Sequence, residues 1–119
     1  MPTKILIIDN DEDILDVLQE ALHYEGFEVV TALNTDDILS AVKLYQPDIL
    51  MIDYLLNGIN GGELCSQVKK NTSTCHLPVV IISAYPRVLQ SLGTYECNAF
   101  IAKPFDLNDL THTLTRLTA

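Results

Sequence analysis

The sequence predicts an α/β fold in which a doubly wound, five-stranded parallel sheet is covered by helices on both faces. Three observations carry that prediction. Short apolar, β-branched runs such as Ile5-Leu6-Ile7-Ile8 show no polar alternation, the pattern of a strand covered on both sides. Stretches of helical apolar spacing separate these runs, so that strand and helix alternate five times along the chain. Parallel neighbours need crossover connections, which are almost always right-handed, so units of this size wind helices onto both faces of one sheet.

The first strand, Ile5 to Ile8, stops at the acidic turn Asp9-Asn10-Asp11. A helix follows from about Glu12, with Leu15, Leu18 and Leu22 as its stripe, joined by Ile14, Val17 and Ala21, and it ends before Gly26. Phe27 to Thr31 reads as strand 2. Asn34 or Thr35 then caps a helix whose first turn carries Asp36 and Asp37 and whose inward residues are Ile38, Ala41, Val42 and Tyr45, closed by Pro47. Asp48 to Ile52 is a buried strand ending in Asp53. Asn60 with Glu63 three residues on is a capping-box start for a helix through Leu64, Cys65 and Val68. Pro78 to Ile82 forms strand 4, ending in Ser83-Ala84, and Ala99 to Ala102 forms strand 5, ending in Lys103-Pro104. Asp106 caps a final helix that aligns Leu107, Leu110, Leu114 and Leu117.

Composition narrows the function classes. At 119 residues the chain has the length of one domain, expected to span 1–119, and 48% hydrophobic residues suffice for a core. Seven basic against 16 acidic residues give a net charge of −9, which would repel a phosphate backbone and argues against direct nucleic-acid contact by this segment. No apolar run approaches the roughly 20 residues that span a bilayer, and no secretory signal fits before Asp9, so a cytoplasmic location is expected. Cys65, Cys75 and Cys97 are odd in number and widely spaced, which suits reduced thiols. His23, His76 and His112 lack ligand spacing and read as surface or partly buried residues.

In a parallel sheet, ligands bind outside the carboxyl ends of the strands, where strand order reverses. Here those ends carry Asp9-Asn10-Asp11, Asp53, Ser83 and Lys103. Acidic and amide groups converging beside a single lysine would repel one another unless a hard divalent cation joined them; Mg²⁺ takes oxygen ligands, keeps waters and bridges carboxylates to phosphoryl groups. A serine hydroxyl and a lysine ammonium opposite the metal would hold the oxygens of a transferring phosphoryl group. The chemistry suggested is phosphoryl transfer to an aspartate.

The acidic turn, the lone aspartate closing Pro47-Asp48-Ile49-Leu50-Met51-Ile52-Asp53, the Ser83-Ala84 pair and Ala102-Lys103-Pro104-Phe105 occur in one order. With them, the chain from Lys4 to about Leu117 resembles the receiver domain of two-component response regulators. The resemblance implies a flavodoxin-like receiver fold with strand order 2-1-3-4-5. It implies that Asp53 accepts phosphate from a sensor histidine kinase or phosphotransfer protein in a Mg²⁺-dependent reaction. Asp9, Asn10, Asp53 and the backbone carbonyl of Leu55 would hold the metal, Ser83 and Lys103 would grip the phosphoryl oxygens, and Ser83 with Phe100 would form the switch. Output would pass to an effector protein or fused output domain through the face made by the helix after strand 4, strand 5 and the last helix, a face that also suits homodimerisation. Such a domain is a switch with self-catalysed phosphoryl transfer and autodephosphorylation, not a turnover enzyme.

The sequence departs from the family pattern in four places. Asn10 replaces the second acid, and an amide oxygen is a weaker ligand for a hard cation. Asn57-Gly58 and Asn60-Gly61 keep glycines that permit positive φ but lose a proline. At the two positions that flank the path of attacking water in the family, the sequence places Leu55 and Tyr85, both bulky and unable to act as bases. Pro86 and Gly93 leave room only for a shortened fourth helix, between strands 4 and 5.

Plainer readings stand beside these. Asp11, Glu12 and Asp13 suit a helix first turn without any ligand, the alternative for Asp11 being to supplement Asn10 at the metal. Ser83 could simply end a strand, and Phe100 could be core. Two other functions compete: a haloacid-dehalogenase-type phosphohydrolase with Asp9 as nucleophile, which leaves Asp53 without a role, and a degenerate receiver serving as a phosphate-independent interaction module.

Overall fold

The computed structural model describes residues 2–35, 37–56, 60–84 and 96–119. Five parallel strands, β1 (Lys4–Ile8), β2 (Glu28–Ala32), β3 (Ile49–Asp53), β4 (Val79–Ser83) and β5 (Ala99–Ala102), form one sheet in the order β2-β1-β3-β4-β5. The helices among the described residues are α1 (Glu12–Tyr24), α2 (Ile38–Tyr45), α3 (Gly61–Lys70) and α4 (Leu107–Leu117). The expected short helix between β4 and β5 falls on residues 85–95, outside the described residues, as do Tyr85, Asn57, Gly58 and Asp36. No helix among the described residues is long and apolar enough to cross a membrane.

The unbroken apolar strands follow from two cores, one on each face of the sheet. Successive side chains of a strand point to opposite faces. Leu6, Ile8, Leu50, Ile52, Val79 and Ile81 accordingly join the core with Ile38 and Val42 of α2 and Leu64, Cys65 and Val68 of α3. Ile5, Ile7, Ile49, Met51, Val80 and Ile82 join the other, with Leu15, Leu18 and Leu22 of α1 and Leu110 and Leu114 of α4. Leu18 is wholly buried; cutting such a residue back to alanine costs about 2–5 kcal/mol. Val17 and Tyr45, expected inward, are 62% and 37% exposed: Val17 points away from the Leu15, Leu18 and Leu22 stripe, and Tyr45 is the last residue of α2.

Side-chain caps set where three helices begin as the sequence predicts. Asp11 accepts from the Asp13 and Ile14 amides, Asn60 from the Glu63 amide at 2.9 Å, and Asp106 from the Asn108 and Asp109 amides. Asn60 also approaches Glu63 side chain to side chain at 3.5 Å. The start of α2 differs from expectation: its cap is Asp37, which accepts from both the amide and the hydroxyl of Ser40. Asn34 and Thr35 instead build the preceding turn, the Thr35 amide donating to Asn34 Oδ1 and the Asp37 amide to Thr35 Oγ1.

Candidate functional site

The strand order reverses between β1 and β3, so the crevice at the carboxyl edge opens between their ends. Asp9 follows β1 and Asp53 closes β3, while Ser83 closes the neighbouring β4. Among the described residues these three are the only buried polar or charged side chains, at 0%, 6% and 2% exposure. Burial of a polar group is costly unless it is partnered, and here all three such groups lie at one edge of one sheet.

Lys103, just past β5, supplies the cation. Its Nζ donates to Asp9 Oδ2 at 3.0 Å and to Asp53 Oδ1 at 3.4 Å. The Lys103 backbone amide donates to Ser83 O at 2.9 Å, which ties the lysine to the end of β4, and the Lys103–Pro104 peptide is cis. Asp9 Oδ1 accepts from the Asp11 amide at 3.0 Å, so both Asp9 oxygens are engaged.

Burial first, and then the negative charge of Asp9, push the Asp53 carboxyl above the ordinary aspartate value against the pull of Lys103. Burial opposes the charge on Lys103, but its bond to Asp9 and the field of both carboxylates prevail and hold it above the ordinary lysine value. Two carboxylates thus share one ammonium. No group of three or more His, Cys, Asp or Glu that could hold a metal ion comes together among the described residues. A pair of hard carboxylates short of one positive charge fits Mg²⁺, which binds through one or two carboxylates and keeps several waters.

The remaining expected site residues lie around this centre. Asn10 and Leu55 are exposed, Asn10 in the turn after β1 and Leu55 two residues past Asp53. Asp11 is the cap of α1, so its carboxylate is already occupied by helix amides. Phe100 is half-buried on β5, packed on the core shared with α2 and α3. Phe100 pairs with Ile81 and Ser83 with Ala102, so alternation puts Ser83 and Phe100 on the same face of adjacent strands. The three histidines are exposed. All three cysteines are free, and burial pushes the Cys65 thiol up to about 12, leaving it protonated and unreactive at neutral pH.

One residue next to the site escaped the sequence reading. The sequence marks Gly61 only as a glycine that permits positive φ, and among the described glycines only Gly26 has one. Gly61 is glycine for space: a Cβ there would meet the carbonyl oxygen of Asp53. The available signal was its place at the start of a helix just after the acidic strand end.

A family model, the response regulator receiver domain, matches residues 5–115. The chain belongs to this family. Its five-stranded sheet is the receiver fold, and the receiver domain is the signalling module of two-component systems. A relative named "Probable transcriptional regulator ycf29", from Pyropia yezoensis, is 30% identical over 121 residues, covering 100% of this chain and 54% of the relative. The chain therefore spans about half the length of that curated relative. A solved chain described as a response regulator, from Chloroflexus aurantiacus J-10-fl, superposes with a TM-score of 0.92 at 28% identity, covering 99% of this receiver domain and 98% of that chain. The Thermotoga maritima response regulator TrrA, solved in complex with Mg²⁺ and BeF, gives 0.87 at 24% identity, covering 97% and 98%, a likeness of fold. Membership sets aside the dehalogenase-type reading.

Proposed function

We propose that this receiver domain carries a phosphoryl group on Asp53, taken from a phosphohistidine of a sensor kinase or phosphotransfer protein in a Mg²⁺-dependent reaction. The observation that carries this reading is the pairing of Asp53 with Asp9 through one shared lysine at the reversal point of the sheet. A carboxylate oxygen of Asp53 attacks phosphorus, forming an O–P bond as the bond to the donor imidazole nitrogen breaks; the imidazole leaves with the electron pair and takes a proton. Asp53 suits this role because it closes β3 at the reversal point of the sheet with Lys103 Nζ 3.4 Å from its Oδ1. Asp9 is held by Asp11 and Lys103 and serves as a fixed ligand rather than a nucleophile.

Mg²⁺, when bound, neutralises charge on the carboxylates and on the transferring phosphoryl group. Asp9 and Asp53 would hold it, with Asn10 and the Leu55 carbonyl completing the set. Lys103 stays charged and neutralises the equatorial oxygens, and Ser83 offers a hydroxyl to the same group. Ser83 and Phe100, on one face of adjacent strands, then couple the phosphoryl group to the surface of β5 and α4, where an effector or a second copy would dock. The metal-bearing neighbour from Thermotoga maritima is in keeping with this reading.

Incubation with acetyl phosphate and Mg²⁺ tests the proposal. Intact mass should show one added phosphoryl group that hydroxylamine removes, absent in Asp53→Ala and dependent on Mg²⁺. Phosphate that resists hydroxylamine, or an adduct retained in Asp53→Ala, would contradict it. An absent adduct in wild type, with partner binding intact, would favour the phosphate-independent module.

A further inference from the structure

We propose that Gly61 is a positioning residue for the Asp53 carboxylate: by lacking a side chain, it seats the first turn of α3 directly on the backbone of Asp53. This inference rests on the reading of Asp53 as phosphoacceptor.

Gly61 is the first residue of α3, immediately after its cap Asn60. A Cβ there would collide with the Asp53 carbonyl oxygen and lie 3.0 Å from both the Asp53 carbonyl carbon and Ile52 Cγ2. The first two are backbone atoms, which cannot rotate aside as a side-chain tip can. The contact is also held by hydrogen bonds. The Gly61 amide donates to Tyr54 O at 2.8 Å, and the Tyr54 amide donates to Ile82 O at 2.8 Å. Tyr54 is therefore pinned at its amide by β4 and at its carbonyl by α3, which fixes the backbone just past Asp53 against the start of that helix.

Asp53 itself pairs with Ile82 in the sheet, so its backbone cannot simply slide away from α3. A methyl group at 61 must lift the start of α3 or tilt the Asp53 peptide. Tilting that peptide swings the Cα–Cβ bond and moves the carboxylate relative to Lys103, now 3.4 Å away. Gly26 provides the contrast within the same chain. It has φ +98° and nothing within 4 Å of a built Cβ, so a substitution there is strained in conformation yet meets no neighbour. Loss of stability alone is common to both glycines; loss of acceptor geometry is peculiar to Gly61.

The test compares wild type, Gly61→Ala and Gly26→Ala, each at a matched folded fraction. The first readout is the rate of phosphorylation of Asp53 by acetyl phosphate and Mg²⁺. Misplacement of reacting groups by about 1 Å costs about 10²-fold in rate. Gly61→Ala should fall by roughly that factor in maximal rate, with little change in the half-saturating donor concentration, while Gly26→Ala should match wild type. The second readout, taken without donor or metal, is the ¹⁵N resonance of the Lys103 ammonium, which should move in Gly61→Ala and stay in Gly26→Ala. Equal rates and resonances in the two variants would overturn the proposal. Wild type that takes no phosphate would refute the phosphoacceptor reading, while the Lys103 resonance would still decide whether Gly61 positions Asp53. If Gly61→Ala does not fold, the wild-type Gly61 amide resonance decides: it should shift when beryllofluoride and Mg²⁺ are added, and an unmoved resonance would contradict the contact.

Discussion

Asp9 and Lys103 stand 94 positions apart in sequence and meet at 3.0 Å across the carboxyl edge of the sheet. Lys103 reaches Asp53 from the same position, so one ammonium offsets two buried carboxylates. Much of the behaviour of the metal-free domain follows from that imbalance.

Lys103→Met should destabilise the metal-free protein by about 1–3 kcal/mol, because a charged, buried group loses its partner. The loss should shrink when Mg²⁺ is added, because the cation takes over the neutralisation of the two carboxylates. Since Lys103 is held above its ordinary value, its contribution is complete below that value and fades only as pH rises through the folded one. Urea unfolding with and without Mg²⁺ measures this. Identical stabilities would mean the pair is electrostatically idle.

Asp53→Asn should do the opposite and stabilise the metal-free protein at neutral pH. The folded state raises the proton affinity of Asp53, so its stabilising form is the protonated one, present below the unfolded value and lost as pH rises through the folded value. The advantage of the variant should therefore vanish as pH falls towards the ordinary aspartate range. Thermal unfolding across pH reads it directly, and a variant less stable at neutral pH would reverse the sign of the account.

Asn10→Asp and Asp11→Ala separate ligand from cap. The first should tighten Mg²⁺ binding, because a full charge replaces a dipole at a hard-cation ligand, and should cost stability without metal. The second should cost about 1 kcal/mol as a lost helix cap and leave Mg²⁺ affinity unchanged. Calorimetric titration decides both; weaker Mg²⁺ binding in Asp11→Ala would make Asp11 a ligand.

Phe100 and Ser83 should respond together. Phe100 is already half-buried, and a phenyl ring turned inward leaves no polar atom unsatisfied, so beryllofluoride should shift an existing population rather than create one. The ring resonances should move modestly in wild type and less in Ser83→Ala. A complete outward-to-inward transition that Ser83→Ala does not alter would refute the coupling.

The strands were legible because burial on both faces leaves an unmistakable run: Ile5 to Ile8 needs apolar residues at every position when two cores meet it. The edge that carries the site was legible for a related reason, since polar residues closing such runs at Asp9, Asp53 and Ser83 have no place in either core. The order of the strands came from the family resemblance, because local spacing is silent on which strand neighbours which. The cap of α2 was not legible. Asn34, Thr35, Asp36 and Asp37 are all chemically able to cap, and the packing of Ile38 and Val42, both buried, sets the turn at which the helix begins. The role of Gly61 was hidden for another reason, since the need for space arises only when α3 lies on β3.

The central claim is that Asp53 is the residue that takes the phosphoryl group, and borohydride trapping tests it most directly. An aspartyl phosphate is reduced by borohydride to homoserine, which marks the acceptor in a peptide map after treatment with acetyl phosphate and Mg²⁺. The account predicts homoserine at position 53 and at no other aspartate; homoserine at position 9, or phosphate confined to a serine or threonine, would contradict it.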